Sequence, residues 1–345
     1  MVGSAQFKAF VVEKTEDGQF VRQIRERCLD DLPPGDLVVR VNYSSLNYKD
    51  ALSSTGNPGV TRQYPHTPGI DAAGVVISCE NDDFAVGDAV IVTGYDLGME
   101  TDGGWGELIR IPSSWAVRLP ACLTEQEGMI LGTAGFTAAL SVLKLVRAGV
   151  KPSDGDVLVT GATGGVGAIA VSILAKIGYR VVAATGKSTD ELFLRNLGAA
   201  EIITRDQVTA GSERPMMKER WAGCVDVVGG DILAAAVKAT RYGGAVTCCG
   251  LAGSTELTMN VFPFILRGVS LIGIDSVKCR SDLRLQVWEK LAEEWKPEQL
   301  YDMMTEVSLE GLEEKIQAIL RGGIRGRVLV KHSGKSVLSA SSGLA

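Results

Sequence analysis

The chain has 345 residues, 46% of them hydrophobic and 22% charged, which is material for two globular domains with a sizeable core. A net charge of −6 and a pI near 5.2 argue against bulk attraction to nucleic acid or anionic lipid, so an anionic ligand has to be met by a local patch. The seven cysteines, at 28, 79, 122, 224, 248, 249 and 279, make no C-x-x-C pair and no zinc-ligand spacing with His66 or His332; they point away from a disulfide framework and toward a reducing compartment, with the cytosol expected.

From Phe7 to about Ile111, short runs such as FKAFVV, DLVVRVNYSS, AGVVIS and DAVIVTG are separated by turn signals such as PPGD and NDDF. This predicts an all-β, barrel-like domain, interrupted by a pre-helical stretch, SLNYKDAL. At Thr124 the period becomes helical through LTEQEGMILGTAGFTAALSVLKLVRAG, and Thr124 with Glu127 reads as a capping box. Strands and helices then alternate. VLVTG, a helix from about Val166, YRVVAAT, a helix over Asp190–Leu197, EIIT, CVDVVG, a helix from about Ile232, GAVTCCG and SLIGID predict a parallel, doubly wound sheet. Helices near Leu283–Glu294 and Leu309–Leu320 and a strand RVLVK follow, the strand returning to the first domain.

No apolar run reaches membrane-spanning length; the longest candidate, GVGAIAVSILAKIG, is interrupted by Lys176 and reads as a buried helix. The N-terminus lacks the charged-then-apolar order of a signal peptide. The stretch SGKSVLSASSGLA, 333–345, is rich in small polar residues and is expected to be a disordered tail.

Gly161, Gly164 and Gly167 make G-x-x-G-x-x-G, with Gly165 in addition, after the strand VLVT and before a helix. Glycines allow a tight turn and close approach to a pyrophosphate, whose charge is met by free N–H groups at the helix start. With Thr163 and Val166, these glycines are the cofactor-binding candidates. An NAD site usually ends its second strand in Asp or Glu for the ribose 2′-OH. Here Thr185-Gly186-Lys187-Ser188 stands in that place. Thr185, Lys187 and Ser188 suit a 2′-phosphate, so NADPH is the expected cofactor.

The segment PGIDAAGVV, 68–76, has the G-x-[DE]-x-x-G outline of medium-chain alcohol dehydrogenases, with Ile70 at the place of their zinc-binding His. Asn47-Tyr48-Lys49-Asp50 stands where they carry Cys-x-x-Asp, and the four-cysteine zinc lobe is missing. No metal is therefore expected, and developing negative charge has to be met by other means.

The order of a β-rich front, PGID, GTAGFTA, the glycine loop and a closing GRVLV resembles the zinc-independent medium-chain dehydrogenase/reductases, the quinone oxidoreductase-like group. SLNYKDAL, PGIDAAG, CCGLAGS, PFILRGVSLIGIDSV and IRGRVLVKH resemble its acryloyl-CoA reductase branch, over about residues 7–332. The resemblance implies an α/β fold: a GroES-like catalytic domain from 1–128 and 274–332, a Rossmann NADPH-binding domain over 129–273, and an active site in the cleft. It also implies a homodimer joined through edge strands, with SLIGID as that edge; an apolar strand could equally lie inside a sheet.

The implied reaction is hydride addition to the β-carbon of an α,β-unsaturated thioester, then protonation of the α-carbon. Tyr48 and Asn47 are the leading candidates to meet the enolate oxygen, since a phenol donates a hydrogen bond or a proton and an amide donates and orients. Asp50 is read as orienting its neighbours. Thr133, Ser276, Gly250 and Leu251 are candidates for the nicotinamide end. Arg325, Arg327, Lys331, Arg267 and Arg280 are weaker candidates for the phosphates of a CoA handle. His66 reads as structural. Beside acryloyl-CoA reduction, the residues leave open reduction of quinones or free α,β-unsaturated carbonyls, and a non-catalytic NADPH sensor.

Overall fold

The structure is a computed structural model that describes residues 5–333, the side chain of Ser188 excepted; the expected tail, after Ser333, lies outside the described residues. The chain forms two compact units, one running to Thr133 and resuming at Met304, the other spanning Ala134–Met303.

The first unit opens with an antiparallel hairpin of β1 (Gln6–Lys14) and β2 (Phe20–Cys28). Next come β3 (Leu37–Leu46), α1 (Tyr48–Ser54), β4 (Asp71–Cys79), β5 (Ala89–Thr93), β6 (Leu108–Ile111) and β7 (Ala116–Arg118). The alternation in LVVRVNYSSL places Leu37, Val39 and Val41 in one core with Val90, Val92 and Ile109, while Val38 joins Phe7, Val11 and Leu108 in another. Both faces of β3 are thus covered, since alternate residues of a strand point to opposite faces.

The helix α2 (Glu125–Arg147) starts with the expected capping box: the Thr124 N–H donates to Glu127 Oε2 at 2.9 Å and the Glu127 N–H to Thr124 Oγ1 at 3.1 Å. Gly132, at φ 48° and ψ −154°, breaks its helical path. Contrary to the sequence expectation, α2 is long and apolar enough to cross a membrane by length and composition; 83% of its most apolar 18-residue window is buried in the protein. Its glycines and threonines hide that continuity from a reading by runs.

The second unit contains β8 (Val157–Val159), α3 (Gly165–Lys176), β9 (Val181–Thr185), α4 (Glu191–Asn196), β10 (Glu201–Thr204), α5 (Arg205–Thr209), β11 (Trp221–Asp226), α6 (Gly230–Lys238), β12 (Thr240–Cys248), α7 (Phe262–Arg267), β13 (Ser270–Gly273) and α8 (Ser281–Ala292). Its strands are parallel, in the order β10-β9-β8-β11-β12-β13. The order reverses between β8 and β11, and in such sheets ligands bind beyond the carboxyl ends of the strands at that reversal. The SLIGID strand, β13, is an edge of the sheet.

Residues 274–303 group with this unit, whereas the sequence reading placed them with the first. The reason is α8. Its Trp288 is buried and packs 6.1 Å from the Phe136 ring, and the Arg284 guanidinium lies 4.9 Å over that same ring.

The chain then returns to the first unit through β14 (Met304–Val307), α9 (Leu312–Leu320) and β15 (Arg327–Lys331). As expected, the last strand pairs with β3, antiparallel, with Val328 opposite Leu46 and Val330 opposite Ser44. Leu312 and Ile316 of α9 are fully buried in one core with Ala51 of α1 and Trp105.

Candidate functional site

In the second unit the glycine loop joins β8 to α3. Gly161 has φ 57°, and a Cβ there would meet Val227 Cγ2 at 2.6 Å, so only glycine fits the turn. Gly164 is the N-cap of α3, which begins at Gly165. A Cβ on Gly167 would stand 2.3 Å from the Gly161 carbonyl oxygen. The first turn of α3, with Val166 and Gly167, is therefore drawn against the loop, with Thr163 buried beneath it. The base of the loop is stapled: Thr160 Oγ1 donates to Asp226 Oδ1 at 2.7 Å and accepts from the Val227 N–H at 3.1 Å, which joins the ends of β8 and β11. Burial pushes the Asp226 carboxyl above the usual range. The loop is a fixed cradle at a helix start, suited to a pyrophosphate.

At the end of β9, Thr185 is buried and its Oγ1 accepts the Lys187 N–H at 3.0 Å. Thr204 of β10 pairs beside Thr185, so the next residue, Arg205, comes to the same turn. A Cβ on Gly186 would meet the Arg205 Nε at 3.2 Å. The exposed Arg205 guanidinium thus joins Lys187 at the position expected to take a ribose phosphate. The sequence reading missed it, since it comes from the next strand; the strand EIIT, pairing in register with VVAAT, carried the signal.

The three catalytic candidates belong to the first unit, on and beside α1. Asp50, its third residue, is fully buried; its Oδ2 accepts the Asn47 N–H at 2.7 Å and its Oδ1 the Ile70 N–H at 2.8 Å. Burial first, and then the neighbouring charge of Asp71, pushes the Asp50 carboxyl up to about 7. The Asn47 amide is wholly engaged. Its Oδ1 accepts from Arg327 Nη1 at 3.0 Å, and its Nδ2 donates to Asp71 Oδ2 at 2.9 Å and Ser45 Oγ at 3.2 Å. Both amide hydrogens are spent inside the protein, so Asn47 fixes the head of α1. Tyr48, by contrast, is 44% exposed.

Asp71, unnoticed in the sequence except as the acid of the PGIDAAG outline, is the hub of this cluster. Its carboxylate accepts from Ser45 Oγ at 2.6 Å, from Asn47, from the Thr133 N–H at 3.0 Å and from Thr133 Oγ1 at 2.5 Å, with Arg327 Nη2 at 3.5 Å. Arg327 was a candidate for a CoA phosphate. It is instead buried, donating to the Ile130 carbonyl, Asn47 and Ser45, because a guanidinium in β15 faces the two acids of the cluster.

The remaining candidates are dispersed. Gly250 and Leu251 line a cavity of about 850 Å³ with Cys248, Leu271, Ile274 and Asp275. The Ser276 carbonyl accepts from Arg284 Nη2 at 3.0 Å. Arg267 donates to the carbonyls of Lys238, Thr240 and Met217, Arg280 pairs with Asp282, and Lys331 pairs with Glu306. His66 is buried with its Nε2 3.0 Å from the Gly98 carbonyl oxygen, a structural placement.

Residues 33–121 match the family described as Alcohol dehydrogenase GroES-like domain, and residues 165–293 the one described as Zinc-binding dehydrogenase. The putative quinone oxidoreductase YhfP of Bacillus subtilis is 47% identical over 95% of this chain and 99% of its own. Its crystal structure with NAD bound superposes with a TM-score of 0.93 at 46% identity, covering 95% of this chain and 100% of that one. The acrylyl-CoA reductase AcuI of Ruegeria pomeroyi is 42% identical over 94% of this chain and 98% of its own. The yhdH oxidoreductase of Salmonella enterica, solved in complex with NADP, has a TM-score of 0.91 at 42% identity, covering 94% and 99%. With a GroES-like unit built from both parts of the chain around a Rossmann-type unit, the protein belongs to the medium-chain dehydrogenase/reductase family of oxidoreductases.

Proposed function

We propose that the protein reduces the C=C bond of acryloyl-CoA, or of a close short enoyl-CoA, with NADPH and without zinc, giving propanoyl-CoA from acryloyl-CoA. The substrate reading is supported by the 42% likeness to AcuI over nearly the whole chain. The observation that carries the chemistry is Tyr48, an exposed phenol at the head of a helix where the flanking Asn47 and Asp50 are both engaged inside the protein.

Zinc does not fit the residues at this place. Asp50 and Asp71 are filled with N–H and O–H donors, a guanidinium stands beside them, and Ile70 has no donor atom. Among the described residues no three His, Cys, Asp or Glu side chains are arranged to hold a metal ion.

NADPH fits the second unit: the N–H groups at Gly164–Gly167 would take its pyrophosphate, and Lys187 and Arg205, with Thr185, its 2′-phosphate, while the Ser188 side chain lies outside the described residues. When bound, it supplies a hydride. Thr133, Gly250, Leu251 and Ser276 remain the candidates for its nicotinamide end. Hydride addition at the β-carbon leaves an enolate, and the α-carbon then takes a proton from the solvent that reaches Tyr48. Tyr48 donates a hydrogen bond to the thioester oxygen as charge builds there. Asn47 and Asp50 hold that tyrosine in place.

A second reading, reduction of quinones or free α,β-unsaturated carbonyls, is favoured by the name of the 47% identical relative. The test is NADPH oxidation with acryloyl-CoA, crotonyl-CoA and a simple quinone, with NADH in parallel. Turnover of acryloyl-CoA above the others, lost about 10²-fold in kcat on Tyr48→Phe, is the expected result. Turnover of the quinone alone would replace the thioester reading. Bound NADPH with no turnover on any acceptor would make the protein a sensor. Removing the cations with Arg205→Ala or Lys187→Ala is expected to raise the KM for NADPH and leave that for NADH unchanged.

A further inference from the structure

We infer that Asp71 is a positioning residue for Tyr48, an inference that rests on the reading of Tyr48 as the oxygen-side donor. Tyr48 has solvent on one side, and an exposed side chain on the first turn of a seven-residue helix is held only as well as that turn is held. What holds it is ionic and buried. The Asp71 carboxylate binds the Asn47 amide directly and the Ser45 hydroxyl beside it, and Arg327 closes the circuit by donating to Asn47 Oδ1 and Ser45 Oγ. Asn47 is therefore gripped at both ends of its amide by opposite charges. It cannot rotate without leaving a buried donor facing Arg327 or a buried acceptor facing Asp71.

The same carboxylate reaches a second segment. It takes both the backbone N–H and the hydroxyl of Thr133, which it can approach because Gly132 has no side chain: a Cβ there would stand 2.5 Å from Asp71 Oδ2 and 3.0 Å from Arg327 Nη2. One ion pair thus sets the head of α1 and the bend of α2. Asp50 adds a parallel tie, from the Asn47 N–H to the Ile70 N–H next to Asp71. Among the described residues, the charged groups facing Asp71 are Arg327 and Asp50. A mutation that weakens Asp71 should therefore act on the reaction mainly through Tyr48, and any part passed on through Thr133 to the nicotinamide end shows as a change in the KM for NADPH.

The test is a double-mutant cycle of Asp71→Asn with Tyr48→Phe. Asn at 71 keeps an oxygen for Thr133 but turns an NH2 group toward Ser45, Asn47 and Arg327, all donors. In the parent, Asp71→Asn is expected to lower kcat about 10²-fold, the scale of a misplaced catalytic group, with the KM for NADPH within about threefold. In the Tyr48→Phe background the same change is expected to cost less than about threefold. An equal loss in both backgrounds, or a loss carried by the KM for NADPH, overturns the inference.

If Asp71→Asn does not fold, Ser45→Ala takes its place in the cycle; it removes one donor to Asp71 and one acceptor of Arg327, with the same non-additivity expected. A readout independent of substrate is the 13Cζ resonance of Tyr48, identified by its loss in Tyr48→Phe. Ser45→Ala is expected to shift or broaden it, and an unchanged line overturns the positioning role. The cycle runs on whichever acceptor turns over, so failure of acryloyl-CoA as substrate leaves it intact. If Tyr48→Phe has no effect on kcat, the donor reading itself falls and the inference falls with it.

Discussion

At the scale of single residues, Asp50 is the group with the most telling environment. Its carboxyl is raised to about 7 by burial and by Asp71, against an ordinary value of 3.8. Between these two values the folded protein holds a proton that the unfolded chain has released. The Asp50 contribution to stability is therefore full below about pH 3.8, falls as pH rises to about 7, and is flat above it. Asp50→Asn does not titrate, and it places an NH2 group against one of the two N–H donors that Asp50 accepts. The variant is expected to be less stable than the parent at pH 4, with the gap narrowing as pH approaches 7. Urea denaturation across that range measures it; a constant gap would mean that Asp50 is ionised throughout.

At the scale of elements, Gly132 is the joint on which the cluster depends. Its φ of 48° with ψ of −154° belongs to backbone space that only glycine enters readily, and its missing side chain is what lets Asp71 reach Thr133. Gly132→Ala is expected to cost about 1–3 kcal/mol from backbone strain alone, and more through the displaced carboxylate. Thermal unfolding beside a control Ala at the solvent-facing Gly149, where a Cβ meets nothing within 4 Å, separates the second effect from the first. Sequence periodicity revealed the long helix and its capping box but not this bend, because a glycine among GTAG reads equally as small-residue packing. The same limit hid the ion pair. Asp71 was visible as a motif letter and Arg327 as a cation in GRVLV, but they lie far apart in the chain, and only the pairing of β15 with β3 brings them together. The glycine loop was legible in full, because its strand, turn and helix are contiguous.

At the scale of the whole molecule, the doubly wound sheet ends in a short strand, β13, with its outer edge unpaired among the described residues. Just before it in the chain stand Val261, Phe262, Ile265 and Leu266, each more than 45% exposed. Exposed apolar side chains next to an open sheet edge are what a strand-to-strand contact buries. We propose that two copies join there. Analytical ultracentrifugation is expected to give a dimer, and Ile265→Glu with Leu266→Lys a monomer; a monomer from the unmodified chain would remove the proposal. The alternation of strands and helices made this sheet readable from sequence, whereas the boundary near residue 303 was not, because it depends on which unit buries Trp288.

The insertion of one unit into the other also orders events during synthesis. Everything the Rossmann-type unit needs precedes β15 in the chain. The other unit has to wait, since the strand beside β3 and the only cation touching Asp71 among the described residues arrive together in Arg327–Lys331. Until then the Asp71 carboxylate lacks the counter-ion it has in the folded protein, and burying it unpaired is costly. Completion of the first unit thus falls to its final strand, which brings the arginine and the last neighbour of β3 in one step.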